Sequence, residues 1–160
     1  CLTKWFAPIL VFTAEEVWQS RMGEDGGSIH LQQFLNLPDE WLNTALENKW
    51  GKVREMRSAV NAAIELMRRE KIVGSNLQAE VKLSVASQDY LDALEGVDAA
   101  EMFITSSAQV LLDETLDEFK AIVVVASGEK CARCWIISKE VGTHKVHKDV
   151  CLRCAGAVDC

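Results

Sequence analysis

The chain has 160 residues, of which 17 are Lys or Arg and 24 are Asp or Glu, so its formal net charge is −7. With 49% hydrophobic and 26% charged residues, it has the composition of a folded globular chain with one domain or two small ones. This composition excludes a disordered tail, a collagenous repeat and a membrane-spanning helix, and the acidic balance argues against a general attraction to nucleic-acid phosphates.

The first residues predict that the chain is part of a longer one. Cys1 stands where an initiating methionine would be, and the apolar segment 2–12 lacks the basic start and the cleavage site of a secretory signal. We therefore expect this segment to be the end of a core helix.

A helix is predicted after this segment. Thr13 and Glu16 have the spacing of a capping box, which places the helix start at Thr13. The helix should run to about Arg21 and stop at Gly23, since glycine favours helix ends. Residues 29–31 are expected to form a short extended piece.

A long amphipathic helix should follow, with Pro38 in its first turn and Gly74 as its stop. Apolar residues at spacings of three, four or seven predict its buried face: Leu42, Leu46, Val53, Met56, Val60, Ile64 and Met67. Residues 41–72 hold seven basic and four acidic side chains, a formal +3 inside an acidic chain. Two interpretations stay open for these charges, a solvated outer face or a stripe that faces phosphates.

The second half of the chain has the pattern of a small sheet. Residues 79–85 alternate between apolar and polar with period two, as a half-buried strand does. A short helix is expected over 88–94, and candidate strands over 102–105 and 109–112. The β-branched segment 119–125, with a turn signal behind it, is the strongest predicted strand.

Four of the six cysteines form two C-x-x-C pairs, Cys131 with Cys134 and Cys151 with Cys154. Sixteen residues separate the pairs, which is in the range of a structural zinc site with a closed shell of four thiolates. Two disulfides, an iron site, or a zinc site in which His147 replaces one thiolate remain alternatives. Cys1 and Cys160 have no partner at a useful spacing and are predicted to be free thiols.

The charge of the chain is unevenly distributed. Residues 129–160 hold six basic and four acidic side chains, a formal +2, whereas residues 1–128 carry a formal −9. Basic groups beside an aromatic side chain suit phosphates and unstacked bases. The alternative is that the basic residues only offset the charge of the thiolates.

Several stretches in the same order resemble one protein family. Segment 127–135, which includes Cys131-Ala132-Arg133-Cys134-Trp135, and then Cys151-Leu152-Arg153-Cys154, resemble the C-terminal zinc finger of bacterial isoleucyl-tRNA synthetases and of formamidopyrimidine-DNA glycosylases. Residues 7–18, with Pro8 and Phe12-Thr13-Ala14-Glu15-Glu16, are similar to a helix in the anticodon-binding domain of class I synthetases. Ser28-Ile29-His30-Leu31 and the run from Trp50 that ends with Lys71, Gly74-Ser75, Leu77 and Ala79 resemble further stretches of the synthetases.

The resemblance to the synthetases implies an α+β fold in three parts. Residues 1–75 would be the later helices of the anticodon-binding bundle, 76–127 a small α/β subdomain with a mixed sheet, and 128–160 a four-cysteine zinc finger. The parent enzyme would attach L-isoleucine to tRNA(Ile) with ATP and Mg²⁺. The ATP-binding signatures of the family are missing from this sequence, so we expect no catalytic residue here and no activity of this piece alone.

The expected partners are the anticodon arm of tRNA(Ile) and the rest of the parent chain, without a membrane, in a cytoplasmic and monomeric enzyme. The metal ligands would be the four cysteines of the two pairs, around one zinc ion. The candidate tRNA contacts are Arg133, Trp135, Lys145, Lys148 and Arg153 on the finger, with Arg54 and Lys71 on the long helix. Two alternatives are a zinc-ribbon module for protein interaction and a glycosylase finger, although the upstream elements of a glycosylase are not visible.

Overall fold

The computed structural model describes residues 1–159, which form two compact units. The first unit spans Cys1–Asn43 and the second begins at Thr44. The helices are α1 (Leu2–Phe6), α2 (Val11–Met22), α3 (Thr44–Arg69), α4 (Gln88–Ala93), α5 (Ala99–Phe103) and α6 (Leu152–Val158). The strands are β1 (Ala79–Val85), β2 (Ser107–Leu112), β3 (Lys120–Val125), β4 (Glu129–Lys130) and β5 (Ile137–Ser138). The predicted α+β class is therefore confirmed.

The first unit is built on α1 and α2, which pack around a small buried cluster of Ala7, Ala14 and Ile29. As predicted, α2 stops at Gly23, whose φ of 69° lies in the left-handed region. The predicted start was wrong, because α2 begins at Val11 without a side-chain cap. The backbone N–H of Leu10 donates to the carbonyl of Phe6. A helical turn that continues from α1 therefore leads into α2, and no capping box starts it.

A half-buried carboxylate closes the loop after α2. The Glu15 carboxylate accepts hydrogen bonds from Gln19 Nε2 at 2.9 Å and Ser28 Oγ at 2.9 Å, and a third from the backbone N–H of Ile29 at 3.0 Å. These bonds, led by that from Gln19, lower the pKa of the Glu15 carboxyl below its ordinary value of 4.5. The extended piece predicted over 29–31 was wrong, because this capped segment forms a 3₁₀ turn, Ile29–Leu31.

The long helix is shorter at both ends than its sequence pattern predicted. Pro38 leads into a separate 3₁₀ turn, Asp39–Trp41, so that the predicted stripe residue Leu42 is 75% exposed. At the other end, Lys71 takes a left-handed φ of 60°. The N–H groups of Lys71 and Ile72 bond back to Arg68 and Met67, which completes a Schellman motif three residues before the predicted stop at Gly74.

The sheet has the strand order β2-β1-β3, with β1 parallel to β2 and antiparallel to β3. Its core joins one face of α3 to the inward residues of β1, as predicted: Val53, Met56, Val60 and Ile64 from α3, and Val81, Leu83 and Val85 from β1. Leu46 was also predicted on the buried face of the helix, but it is 50% exposed. Because α3 shares this core, the predicted parts 1–75, 76–127 and 128–160 do not coincide with the two compact units. As functional domains they stay a prediction.

The parallel pairing of β1 and β2 needs a crossover, which α4 and α5 supply. The strand predicted over 102–105 was wrong, because these residues end α5 and turn into β2. Asp98 caps α5 by accepting the N–H groups of Ala100 and Glu101. Phe103 is fully buried in the core, so its apolar character reflects a buried helix end.

The C-terminal segment forms a small module beside the end of the sheet at which β1 and β2 begin. A hairpin of β4 and β5 leads into it, and α6 closes it. Ser106 ties the module to the sheet, since its Oγ donates to the carbonyl of Leu77 and accepts the N–H of Ile137 at 2.7 Å. Among the residues that the structure describes, no helix is long and apolar enough to cross a membrane.

Candidate metal centre and nucleic-acid interface

The four cysteines of the two C-x-x-C pairs converge on one point. The Sγ atoms of Cys131, Cys134, Cys151 and Cys154 all lie within 4.8 Å of one another. The Sγ atoms of Cys134 and Cys151 are 3.8 Å apart. Four sulfurs placed about 2.3 Å from a zinc ion in a tetrahedron lie about 3.8 Å from one another, so the arrangement fits the ion. None of the cysteines in residues 1–159 forms a disulfide; Cys160 lies outside the described residues.

Backbone geometry prepares the first of these sulfurs for metal binding. The N–H groups of Cys134 and Cys151 point at Cys131 Sγ, at 3.5 Å and 3.4 Å. Burial raises the pKa of the Cys131 thiol, but these hydrogen bonds outweigh it and bring the pKa down to about 6. Burial raises the pKa of Cys134 to about 12, so four thiolates are not stable together without a cation.

Gly128 sets the close approach of the hairpin that carries the first pair. Its φ is +124°, a backbone conformation that side chains rarely adopt. A Cβ at this position would lie 2.4 Å from the carbonyl carbon of Ser138, which is impossible without a backbone shift. The fold of the metal centre therefore depends on glycine here.

His147, the alternative fourth ligand, is engaged elsewhere. Its Nε2 lies 3.0 Å from the carboxylate of Asp159, and its ring stacks on His144 with the centroids 5.5 Å apart. The backbone N–H of His147 also donates to His144 Nδ1. These contacts connect the loop that carries His147 to the end of α6. The group of converging metal ligands contains only cysteines among the described residues.

Two of the predicted tRNA contacts face the thiolates. Arg133 Nη1 lies 3.7 Å from Cys154 Sγ. Arg153 Nη1 lies 3.9 Å from Glu101, and the charge of the Cys134 thiolate is the main cause that raises the pKa of Arg153. Both arginines thus offset negative charge within the chain, which is the alternative that their sequence positions left open.

The other finger positions are open to solvent. Trp135 is 60% exposed and has a left-handed φ of 67°, which is uncommon for an aromatic residue. Lys130 Nζ lies 5.2 Å from the centroid of its indole ring, in a cation–π contact. Lys145 and Lys148 are exposed and make no ion pair with any other described residue. Lys130 was not among the predicted tRNA contacts, although its position next to Cys131 could have indicated that it lies on the same surface as Trp135.

The basic face of α3 is only partly available to a ligand. Lys52 Nζ pairs with Asp89 at 2.8 Å, and Lys49 Nζ donates to the Glu95 carbonyl at 2.7 Å. The predicted contacts Arg54, on this helix, and Lys71, two residues after its end, are exposed and pair with no acidic side chain in residues 1–159. Part of the charge of this segment is therefore neutralised within the chain and part is exposed, and the phosphate-facing stripe stays a prediction.

Comparison with known families defines the class of protein. Residues 2–83 match the family described as the anticodon-binding domain of tRNA ligase, and residues 128–156 match the one described as a zinc finger found in FPG and IleRS. The first match covers half of the chain, which therefore belongs to the tRNA-ligase anticodon-binding family. The second match covers the four clustered cysteines and favours zinc as the metal for this site.

The similar curated proteins are isoleucine–tRNA ligases. The chain is 46% identical to the enzyme of Agrobacterium fabrum, 42% to that of Gluconobacter oxydans and 38% to that of Syntrophotalea carbinolica. The alignments cover 98–99% of this chain but only 16–18% of those proteins. The resemblance to isoleucyl-tRNA synthetases inferred from the sequence is confirmed.

Proposed function

We propose that this chain is the part of an isoleucine–tRNA ligase that holds the anticodon arm of tRNA(Ile), and that the chemistry takes place elsewhere in the enzyme. The observation that carries the proposal is the exposed indole of Trp135 beside the ammonium of Lys130. An anticodon loop presents unstacked bases, and such bases bind to aromatic faces with cations near the backbone. The family match over residues 2–83 and the names of the relatives support it.

The other predicted contacts would hold the RNA backbone. Lys145, Lys148, Arg54 and Lys71 are exposed cations that can reach phosphates, and such contacts weaken as the salt concentration rises. Arg133 and Arg153 would contribute as well, while their thiolate contacts fix their positions. In this proposal the net charge of the whole chain matters less than the local charge of the finger.

The zinc ion would have a structural role, because a closed shell of four cysteines leaves no position for water. Its binding would fold residues 129–159, which bury few apolar side chains beyond the cysteine cluster. A strong chelator should therefore collapse the amide NMR signals of this segment and leave those of β1–β3 dispersed. Signals of residues 129–159 that stay dispersed after zinc removal would contradict this role.

The rest of the synthetase would cover the first unit. Several large apolar side chains of this unit are far more exposed than a folded surface usually leaves them: Phe12 at 85%, Leu31 at 83% and Ile9 at 75%.

The whole enzyme would bind ATP and Mg²⁺ in another domain and act as a cytoplasmic monomer. Activity assays of the present chain should detect neither isoleucyl-adenylate formation nor aminoacylation.

A gel-shift titration tests the proposal directly. The zinc-loaded chain should retard tRNA(Ile) at lower concentration than a noncognate tRNA or duplex DNA, with an affinity that falls as salt rises. Equal retardation of duplex DNA would favour a general nucleic-acid module, and no retardation of any nucleic acid would favour the protein-interaction alternative.

Charge reversal then tests the finger in the full-length enzyme. Arg133→Glu combined with Arg153→Glu should weaken tRNA(Ile) binding by well over twice the free-energy change caused by Lys139→Glu, a single reversal of an exposed finger lysine outside the proposed contacts. Zinc content must stay at one ion per chain in each variant. An unchanged affinity in the double variant would remove these arginines from the interface.

A further inference from the structure

A cleft of about 410 Å³ opens beside the metal centre, between α5 and the zinc module formed by residues 129–159. Two of the four clustered cysteines, Cys134 and Cys151, line it, and we call it the Cys134 cleft. Its volume lies within the range of small-molecule sites. A small molecule can therefore approach the cysteine cluster from this side.

The four cysteines differ in how far they are enclosed. Cys131 and Cys154 are fully buried, and Cys151 is 5% exposed. Cys134 is half-buried and is the least enclosed of the four. Arg153, which also lines the cleft, is attracted by the charge of the Cys134 thiolate, and this indicates that the sulfur of Cys134 lies towards the cleft.

Hydrogen bonds protect two of the other sulfurs. Cys131 Sγ accepts the backbone N–H groups of Cys134 at 3.5 Å and Cys151 at 3.4 Å, and Cys154 Sγ accepts Arg133 Nη1 at 3.7 Å. A thiolate that is stabilised in this way is a weaker nucleophile. Burial and hydrogen bonds therefore both oppose reaction at these two sulfurs, and Cys134 combines a position on the cleft with the greatest exposure.

The Cys134 cleft is mainly acidic. Among the described residues that line it, three have carboxylates and one has a guanidinium: Asp98, Glu101, Glu140 and Arg153. A zinc ion with four thiolates would add a formal charge of about −2 at the inner end of the cleft. A cleft lined by one sign of charge raises the local concentration of the opposite sign. The walls therefore favour neutral and cationic molecules over anionic ones.

We propose that Cys134 is a modification site of the metal centre, and that the Cys134 cleft selects small disulfides of neutral or positive charge to react with it. The Cys134 sulfur attacks one sulfur of the disulfide, so that a new S–S bond forms and the original S–S bond breaks. The leaving half departs with the electron pair as a thiolate and takes a proton from water, so that Cys134 is oxidised and the leaving half is reduced. Modified Cys134 has lost the thiolate charge that binds a metal, so zinc binding should weaken. This inference goes beyond tRNA binding and does not depend on it.

The test uses the zinc-loaded chain with Cys1→Ser and Cys160→Ser, because Cys1 is an exposed free thiol and Cys160 lies outside the described residues. Two methanethiosulfonates of opposite charge, the aminoethyl and the sulfonatoethyl compounds, form the same kind of mixed disulfide, with methanesulfinate as the leaving group. After short exposure, the remaining thiols are alkylated in denaturant and the chain is digested with trypsin. Trypsin cleaves after Arg133 and Arg153, which separates the cysteines of each C-x-x-C pair, so mass spectrometry assigns every adduct.

Cys134 should carry the first adduct, at a rate at least about ten-fold above the rates of the three other cysteines. Compared with a cysteine-containing model peptide, the reaction at Cys134 should favour the aminoethyl over the sulfonatoethyl compound by about ten-fold, because the acidic cleft concentrates cations. Zinc release, followed with a chromophoric chelator, should proceed at the rate of Cys134 modification.

Glu140→Gln removes one carboxylate from the cleft and should lower this charge preference by about two- to three-fold. Glu114→Gln is the matched control, since Glu114 is exposed and follows the end of β2 that lies away from the zinc module. It should leave the preference unchanged. Zinc content and circular dichroism check that each variant is folded.

Equal rates at the four cysteines, or a first adduct on Cys131, Cys151 or Cys154, overturn the assignment of the site. A charge preference equal to that of the model peptide, or an equal effect of Glu140→Gln and Glu114→Gln, shows that the reagent does not pass through the acidic cleft and overturns the proposed selection. The rates on the chain without a cleft variant decide the proposal if Glu140→Gln does not fold. None of these outcomes affects the gel-shift test, so the proposed function stands or fails separately.

Discussion

Replacing Gly128 with alanine places a methyl group 2.4 Å from the carbonyl carbon of Ser138 and 2.6 Å from the amide nitrogen of Lys139. Both are backbone atoms of the paired strand and its continuation, so no side chain can turn away to make room. The left-handed φ of +124° adds about 1–3 kcal/mol for a residue with a side chain, and the overpacking adds a similar amount. We expect the folded zinc module to lose about 2–6 kcal/mol.

Because folding of this module is coupled to metal binding, the loss should appear in the zinc affinity. A loss of about 3 kcal/mol corresponds to a zinc affinity more than about 100-fold weaker. The assay is a competition titration with a chromophoric chelator at fixed pH, since thiol ligands release protons when they bind zinc.

Two glycines of the same module separate the possible causes. Gly142→Ala has a φ of +91° but meets only the Lys148 carbonyl oxygen at 3.9 Å, so it reports backbone strain without a clash and should cost about 1 kcal/mol. Gly156→Ala lies within α6, where an added Cβ meets nothing within 4 Å, and should stabilise the helix by about 0.5–1 kcal/mol. If Gly128→Ala binds zinc as well as Gly142→Ala does, the close approach is not what makes this glycine necessary.

Three further changes test local features of the fold. Lys71→Gly should raise the free energy of unfolding by about 1 kcal/mol in urea titration, because glycine adopts the left-handed φ of 60° freely; Lys71→Ala keeps the strain and should show no gain. Thr105→Val should also stabilise, by about 1 kcal/mol, because Thr105 Oγ1 is buried without a partner among the described residues, and a decrease would show that this hydroxyl is satisfied. For Glu15, the lowered pKa means that the unfolded chain binds more protons, so its contribution is present above pH 4.5 and is lost as the pH falls through the native pKa. Urea unfolding at a series of pH values should therefore show a smaller acid-dependent loss for Glu15→Gln, and equal losses would contradict the role of this carboxylate.

Local sequence patterns predicted the elements whose environment repeats regularly. The alternation of residues 79–85 predicted β1, because one face of that strand packs on a core and the other does not. The buried face of α3 was predicted for the same reason, since its apolar residues recur with the helical period. In both cases several residues repeat the same apolar pattern, so the prediction does not depend on any single residue.

The starts and ends of elements were predicted less well, because single residues carry that information. Thr13 has the spacing of a cap, yet the turn from α1 extends the helix back to Val11. Gly74 is a plausible stop, yet Lys71 ends α3, because the chain must turn there to reach β1. The apolar run 102–105 was predicted as a strand, but burial of Phe103 against the core fixes it as a helix end.

The sequence by itself determined the metal centre, since two C-x-x-C pairs at this spacing can bring four sulfurs together through local turns alone. It also determined the family, through motifs in a fixed order. Only the tertiary structure decided which basic side chains are engaged within the chain and which are accessible to a ligand. Arg133 and Arg153 share one charge type with Lys130, but the arginines face thiolates and the lysine faces an open cleft. That difference depends on which segments, far apart in the sequence, lie next to one another in the fold. The type of a residue does not specify these contacts.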